Sequence, residues 1–530
     1  MPITGPDMLP IFTRSYLVAD PTRVDSIFKR LPRRHKLQEI DRESGEDQYY
    51  DTFDWRLYRK KLLFSRSGNR VTLRTFSGIM RCSAAIRKKD RLFAWDFEDS
   101  DMASLLKKRI DMRALCPLLS LRYDRRNFRV LNRDRKTVAW VTRASQKVLS
   151  DSAEIEFPEY LTITSVRGYE KIYENILTIL DALKLQHSAG DSELFVQGCI
   201  ASGRKPLDYG SKFYVELDRS VSVGEAVSRI CLDLVDAMEK NYEGVCSDVD
   251  SEFLHDFRIA VRRTRSLLSL LRKSLPREQL RVFEAEFKWL GSVTGPLRDN
   301  DVYLLKKEVY RNLVPHSLRD GLNLFFDDLA ARRADDLTEL KKNLRSTRYR
   351  NLLESWKRFL NDPQSELFQG PGKQVCLDLV NKIVRKRFNR FVKEGDQISD
   401  QSDDGQFHTL RIRGKKFRYL LEFFRPFYAE REIKLFLKHM KNVQDCLGDF
   451  NDLSVQMDML NDTLKQLNGR SRKTILLAAA LGSLITRLKT EQQQVKNAFY
   501  STYEAFRTEE NKRLIKQLTD SCRSTVSIKE

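Results

Sequence analysis

Glycine, proline and long apolar runs are scarce in this sequence. The 22 glycines and 14 prolines make up about 7% of the 530 residues, against roughly 12% in average proteins. This shortage excludes collagenous and loop-dominated architectures and favours long helices. The longest apolar run, near Ile475–Ile485, is far shorter than the roughly 20 residues that a membrane span needs, and it predicts a buried helix. The first residues lack a basic start followed by an apolar stretch, so we expect no signal peptide.

Paired cysteines and nucleotide-binding loops are also missing. The eight cysteines are widely scattered and form no C-x-x-C pair, which disfavours a zinc site and is typical of reduced thiols in a cytoplasmic protein. No G-x-x-x-x-G-K-[ST] loop occurs, which disfavours a nucleotide-driven motor.

Positive charge is abundant. The sequence has 95 lysines and arginines against 74 acidic residues, a formal net charge of +21. Hydrophobic residues still make up 41% of the chain, so it can fold, and its length predicts several domains. The charge favours polyanionic partners, namely nucleic acid, an anionic membrane surface or polyphosphate, without choosing among them.

Patterning divides the chain into a strand-rich part and a helical part. Short segments rich in Tyr, Phe, Val and Thr predict strands at 49–52, 62–66, 71–76 and 137–142, a hairpin turn at 67–69, and helices near 22–31 and 165–183. From about Val221 onward, apolar residues recur three and four apart, which predicts helices. We expect domains at 1–205, 222–360 and 374–525, joined by Pro- and Gly-containing linkers at 206–221 and 361–373.

The helical part contains an internal repeat. HDFRIAVRRTRSLLSLL begins at His255, and HTLRIRGKKFRYLLEFF begins 153 residues later at His408. The same offset relates GPLRDNDV, which contains Asp299, to GDFNDLSV, which contains Asp452. Two motifs in register at one offset predict two copies of one helical unit.

Each copy carries a row of cations along one helix face. His255, Arg258, Arg262 and Arg265 have the spacing i, i+3, i+7 and i+10, and His408, Arg411, Lys415 and Arg418 repeat it. There are six lysines or arginines and one acid between His255 and Lys273, and again between His408 and Arg425, whereas a solvated helix normally intersperses acids to relieve repulsion. Two such rows therefore favour a ligand whose negative charge repeats along its length.

The histidines and the acids of the GPLRDNDV and GDFNDLSV segments have more than one interpretation. The histidines could bind a metal or be purely structural, but we favour donation to phosphate. The acids could form a metal or acid–base cluster, but we favour helix capping and the orientation of nearby arginines. These acids are Asp299, Asp301, Asp449 and Asp452.

The two H-x-x-R-x-x-x-[KR]-[KR]-x-R segments resemble the CHAD domain, the conserved histidine α-helical domain, from about Val221 to Phe506. The resemblance implies two four-helix subdomains whose basic helices line a central cavity, and it implies binding of inorganic polyphosphate. The implied polyphosphate-binding residues are His255, Arg258, Arg262, Arg263, Arg265, His408, Arg411, Lys415, Lys416 and Arg418.

The first 200 residues resemble the CYTH domain, a triphosphate tunnel metalloenzyme fold. The resemblance rests on YYDTFDWRLYRKKLLFSRSGNRVTLRTF from Tyr49, AEIEFPE with Glu154 and Glu156, and GYEKIY from Gly168. That family uses an E-x-E-x-K strand to hold a divalent metal against triphosphate, but this chain has TRSYL from Thr13 in its place. Residues that could still grip phosphate in the tunnel are Arg66, Arg74, Arg87 and Lys88, and weak metal candidates are Glu154 and Glu156.

The sequence therefore predicts an α+β multidomain protein, with a degenerate antiparallel β-tunnel-like domain followed by an all-α domain of two repeated four-helix bundles. We expect a polyphosphate-binding protein without catalytic residues, located in the cytoplasm at polyphosphate granules. No cofactor is expected; magnesium or manganese would be needed only if the tunnel domain were active. The alternatives are a metal-dependent tripolyphosphatase and a nucleic-acid-binding protein, and the latter lacks a recognised readout motif.

Overall fold

The computed structural model describes residues 12–18, 35–86, 89, 91–97, 100–149, 154–188, 190–210, 213–469 and 471–520. The chain divides into two compact units, Met1–Ser211 and Lys212–Glu530. In the described residues the first unit is built around an antiparallel sheet and the second is helical, which confirms the predicted change of pattern. The helix predicted near 22–31 lies outside the described residues.

The first unit contains one nine-stranded sheet in its described residues. Its strands are β1 (Thr13–Val18), β2 (Lys36–Asp51), β3 (Leu62–Ser67), β4 (Arg70–Thr75), β5 (Met80–Ala85), β6 (Cys116–Leu131), β7 (Thr137–Leu149), β8 (Glu154–Ser165) and β9 (Gln186–Ser188). Their order is β5-β4-β3-β2-β6-β7-β8-β1-β9. The predicted hairpin joins β3 to β4 through Gly68, whose φ of +58° suits glycine. Closure of this sheet into a tunnel stays a prediction.

Helices cover both faces of that sheet. They are α1 (Asp101–Ile110), α2 (Glu170–Ala182) and α3 (Asp191–Ala201). Neighbouring β8 residues point to opposite faces: Leu161 packs in one core with α2, and Tyr160 packs in another with Phe195 of α3. The helix predicted over 165–183 is therefore α2, which begins later because residue 165 still belongs to β8.

The second unit is helical in its described residues. Its α-helices are α4 (Val223–Cys246), α5 (Ser251–Leu271), α6 (Arg277–Val293), α7 (Gly295–Leu305), α8 (Lys307–Leu313), α9 (Arg319–Leu344), α10 (Thr347–Asn361), α11 (Cys376–Gly395), α12 (Asp404–Phe423), α13 (Glu430–Gln466), α14 (Arg472–Phe506) and α15 (Glu509–Asp520). The pairs α4 and α11, α5 and α12, α6 and α13, and α9 and α14 each begin 153 residues apart. The starts of these helices thus have the same 153-residue offset as the repeated sequence motifs. The four-helix-bundle form of each repeat stays a prediction.

Reciprocal hydrogen bonds join the two repeats where α4 and α11 begin. The Val223 N–H donates to the Gln374 carbonyl at 3.0 Å, and the Cys376 N–H donates to the Val221 carbonyl at 2.9 Å. Each bond maps onto the other when both of its residues are moved by 153 positions. The two repeats therefore meet here across a local pseudo-twofold axis.

The repeats also share a hydrophobic core between α9 and α14. Phe325 and Leu329 of α9 are buried in one cluster with Leu481 and Leu484 of α14. The helices approach so closely that a Cβ at Gly321 would lie 2.3 Å from the Leu476 carbonyl oxygen. The two repeats of the second unit thus pack against each other and are not separate domains joined by a linker. Within the described ranges, no helix has the length and hydropathy required to cross a membrane.

Candidate functional site

The two basic helices, α5 and α12, begin in the same way and pack against each other. Asp250 caps α5 by accepting hydrogen bonds from the Glu252 and Phe253 N–H groups, and Asp403, 153 residues later, caps α12 by accepting from Gln406 N–H. Apolar residues on each helix are buried on the core side, including Phe257, Val261, Leu268, Phe417 and Leu421. This burial leaves the cationic rows to face one another.

A cavity of about 550 Å³ lies between these helices and α6. We call it the basic cavity. It is lined by Arg262, Arg265, Ser266 and Ser269 of α5, Arg272 just after it, Glu284 and Lys288 of α6, and Arg411, Ile412, Lys415, Lys416 and Tyr419 of α12. The described lining thus has cations from both repeats and a single carboxylate. Five of the ten predicted polyphosphate-binding residues are brought together here.

Like charges from the two repeats act on each other across the basic cavity. Burial lowers the pKa of Lys415 to about 8, and the neighbouring charges of Arg411 and Arg262 contribute to that lowering. The pKa of Lys416 is also lowered, mainly by burial and then by Arg387 and by Arg265 of the other repeat. The cations are crowded and partly desolvated, so an anion entering the cavity would relieve their repulsion.

Two of the predicted arginines are held in place by neighbouring polar groups. Arg258 donates from Nη1 to the Gly291 carbonyl at 3.2 Å and to Thr294 Oγ1 at 3.0 Å. Arg411 donates from Nη2 to Asp452 Oδ1 at 3.1 Å. Burial lowers the pKa of both guanidinium groups. Their side chains are therefore positioned before any ligand arrives.

Two other predicted arginines share a carboxylate instead of lining the basic cavity. Arg263 Nη2 of the first repeat donates to Glu422 Oε2 at 2.8 Å, and Arg418 Nε of the second lies 3.2 Å from Glu422 Oε1. Arg263 also lies over the rings of Phe213 and Tyr419. These two arginines therefore help to join the two repeats through Glu422. Their binding of polyphosphate stays a prediction.

The paired histidines lie at equivalent helix positions. His255 is half-buried, whereas His408 is exposed and its Nδ1 is hydrogen-bonded to Asn451 Oδ1. This contact orients the His408 ring through its Nδ1 side.

Two acids of the GPLRDNDV and GDFNDLSV segments contact arginines. Asp452 accepts from Arg411, and Asp301 Oδ1 accepts from Arg333 Nε at 2.6 Å. Burial raises the pKa of Asp299 and of Asp449. No group of three or more possible metal ligands was found in the parts of the chain that the structure describes.

In the first unit, the candidate metal ligands are paired with cations. Glu154 is bonded to Arg122, and Glu156 Oε1 lies 2.7 Å from Lys147 Nζ. The strand that would carry the first acidic pair, β1, has none, and it lies between β8 and β9. The carboxylates that a metal would need are thus missing from β1 and paired on β8.

Two of the basic residues predicted to bind phosphate in the tunnel, Arg66 and Arg74, contact other protein groups. Arg66 Nε donates to the Gly68 carbonyl at 2.7 Å, and Arg74 Nη1 lies 2.8 Å from Asp191 Oδ2 of α3. Arg87 and Lys88 lie outside the described residues. In the YYDT motif, Asp51 accepts from the Thr52, Leu57 and Tyr58 N–H groups, so this carboxylate organises a turn.

These pairings predict that the first unit does not hydrolyse tripolyphosphate. With added magnesium or manganese, we expect no phosphate release above a blank, because metal-assisted phosphoryl chemistry needs free carboxylates to hold the ion. Turnover that Glu154→Gln or Glu156→Gln abolished would contradict this prediction. Phosphate release is to be followed with the full-length chain.

Sequence reasoning missed several residues of the basic cavity. Arg272 continues the α5 row one heptad beyond Arg265, so helical spacing could have found it. Lys288 gave no such signal, because its place in the lining depends on how α6 packs against α5.

Comparisons with known proteins relate part of the helical unit to a known domain. The sequence profile of the CHAD domain matches residues 229–461. An uncharacterized protein of Mycobacterium tuberculosis strain CDC 1551 / Oshkosh, and another of strain ATCC 25618 / H37Rv, are each 27% identical over 219 residues. Each match covers 39% of this chain and 39% of the relative, so it spans about two fifths of these curated proteins.

Solved structures were also found. The CHAD domain from the plant Ricinus communis has a TM-score of 0.47 and 24% identity, covering 56% of this chain and 97% of that one. PptA from Streptomyces chartreusis has a TM-score of 0.42 and 12% identity, covering 53% and 99%. From the profile match and the repeated basic helices, we conclude that the helical unit of this chain contains a CHAD domain.

Proposed function

We propose that this protein binds inorganic polyphosphate in the basic cavity. The observation that carries the proposal is the lining itself, in which the described residues are cations of both repeats, a few uncharged side chains and one carboxylate, Glu284. A chain of phosphates offers repeated negative charge and many acceptor oxygens, which match several lysines and arginines at once. The association of CHAD domains with polyphosphate supports the same ligand.

Two arrangements around the basic cavity support this proposal. Arg258 and Arg411 are already held by hydrogen bonds, so less side-chain entropy is lost on binding. Burial and the charges of Arg411 and Arg262 lower the pKa of Lys415 to about 8, and a phosphate bound beside these cations would relieve their repulsion. We further propose that the protein is recruited to polyphosphate granules, or organises them, through this cavity.

A competition assay tests the ligand. We expect long-chain polyphosphate to bind more tightly than duplex DNA at matched phosphate concentration and ionic strength, because a thin chain can enter a cavity of about 550 Å³ and a duplex cannot. The affinity for polyphosphate should also fall steeply with added salt, since several cations meet phosphates. Equal binding of duplex DNA would contradict a ligand held inside the cavity and would favour an exposed basic surface.

A further inference from the structure

A second group of arginines lies beside the basic cavity, where α11 packs against α12. Lys416 of α12 lines the cavity, and Arg413 precedes it by about one helical turn. On α11, Arg387 and Arg390 are three residues apart and so lie on one face. We call Arg387, Arg390 and Arg413 the lateral arginines.

The lateral arginines share one carboxylate. Arg390 Nε donates to Glu394 Oε1 at 2.9 Å, and Arg413 contacts the same carboxylate oxygen. Arg387 is half-buried, and no carboxylate partner is recorded for it within the described part of the second unit. The group therefore retains a net positive charge that the protein does not neutralise locally.

The lateral arginines are electrostatically continuous with the basic cavity. Lys416 is acted on by Arg387 and Arg413 from one side and by Arg265 from the other, and these charges add to the lowering of its pKa by burial. Burial and the neighbouring Arg390 also lower the pKa of Arg387. Lys416 thus lies between two groups of cations that form one positive path.

The first repeat has no counterpart of this group. At the positions 153 residues earlier, Leu234, Ala237 and Ala260 replace Arg387, Arg390 and Arg413. Leu234 and Ala260 are buried, and Ala237 is half-buried. Neither the fold of the repeat nor its packing therefore requires arginine at these positions, and the cationic path extends on the side of the second repeat alone.

We propose that the lateral arginines form a second anion-binding segment, which takes the part of a linear polyphosphate chain that extends beyond the basic cavity. This inference rests on the proposed function and adds a length requirement to it. A ligand short enough to lie inside the cavity contacts the cavity cations only. A long chain also contacts Arg387 and Arg390, and gains affinity from them.

The test compares tripolyphosphate with long-chain polyphosphate on the full-length chain. Arg387→Ala with Arg390→Ala is expected to weaken long-chain binding about tenfold or more, because charge-assisted contacts are lost, and to leave tripolyphosphate binding unchanged. The matched control is Lys382→Ala with Lys473→Ala. Both lysines are exposed, on α11 and α14, and neither lies three or four residues from a lateral arginine, so the control removes the same charge and should leave both affinities unchanged.

A third variant uses the shared carboxylate. Glu394→Gln removes the anion that competes for Arg390 and Arg413, so long-chain affinity should rise by a few fold. Circular dichroism checks that each variant stays helical. The inference is overturned if Arg387→Ala with Arg390→Ala weakens both ligands equally, or weakens neither.

The proposed function fails separately from this inference. Arg262→Ala with Lys415→Ala changes the cavity alone and should weaken both ligands. If that variant binds both ligands as the unchanged protein does, polyphosphate does not occupy the basic cavity. The effect of the lateral arginines is measured separately, as the difference in long-chain affinity between Arg387→Ala with Arg390→Ala and the unchanged protein.

Discussion

Charge reversal in either repeat is expected to weaken polyphosphate binding by well over tenfold. Arg262→Glu with Arg265→Glu changes the first repeat, and Lys415→Glu with Lys416→Glu changes the second. All four side chains line the basic cavity. Each lost charge-assisted contact costs roughly 1.5–3 kcal/mol, and each new carboxylate repels the ligand. The measurement is the affinity for long-chain polyphosphate at one ionic strength.

The folding control follows from the same helices. Glutamate is a good helix former, and the apolar faces that bury Phe257 and Phe417 are unchanged, so circular dichroism should stay helical. Lys382→Glu with Lys473→Glu makes the same change of charge at exposed positions of α11 and α14 and should cost far less. A comparable loss in this control would mean that net charge, rather than the cavity, decides the affinity.

Polyphosphate affinity is expected to fall as the pH rises above 8. Lys415 has its pKa lowered to about 8, mainly because it is buried, so it loses its charge in the unliganded protein above that value. A bound phosphate raises that pKa, since it favours the charged lysine. By linkage, affinity should therefore decrease by up to about tenfold per pH unit between 8 and the pKa of the liganded lysine.

Lys415→Arg provides the control for this pH dependence. An arginine stays protonated across the whole range, so the variant should keep its affinity between pH 8 and pH 9.5, whereas the unchanged protein loses it. An identical pH profile for the two proteins would show that Lys415 does not meet the ligand.

The repeat and much of the basic cavity could be predicted from the sequence because both follow helical spacing. Corresponding helices in the two copies begin 153 residues apart, as the repeat in the sequence predicts. The spacing i, i+3, i+7 puts the cations of each helix on one face, and Arg262, Arg265, Arg411 and Lys415 all line the basic cavity. A periodic pattern carries this information because side chains on one helix face have a fixed separation along the chain.

Partners from other elements could not be predicted in this way. Glu422 pairs with Arg418 one turn earlier on α12, as helical spacing allows, but its contact with Arg263 depends on how α5 and α12 pack. In the first unit, Glu154 of β8 meets Arg122 of β6, two strands away, and only the sheet order places them together. Spacing within one segment says nothing about such pairs.

A double-mutant cycle between the repeats tests most directly whether they build one site. The two double reversals and the quadruple variant are measured for polyphosphate affinity under one condition. If both repeats hold the same ligand, the quadruple variant should lose clearly less binding free energy than the sum of the two double variants, because residues that serve one site do not act independently. Losses that add to within about 0.5 kcal/mol would show two independent sites and would contradict a single cavity shared by both repeats.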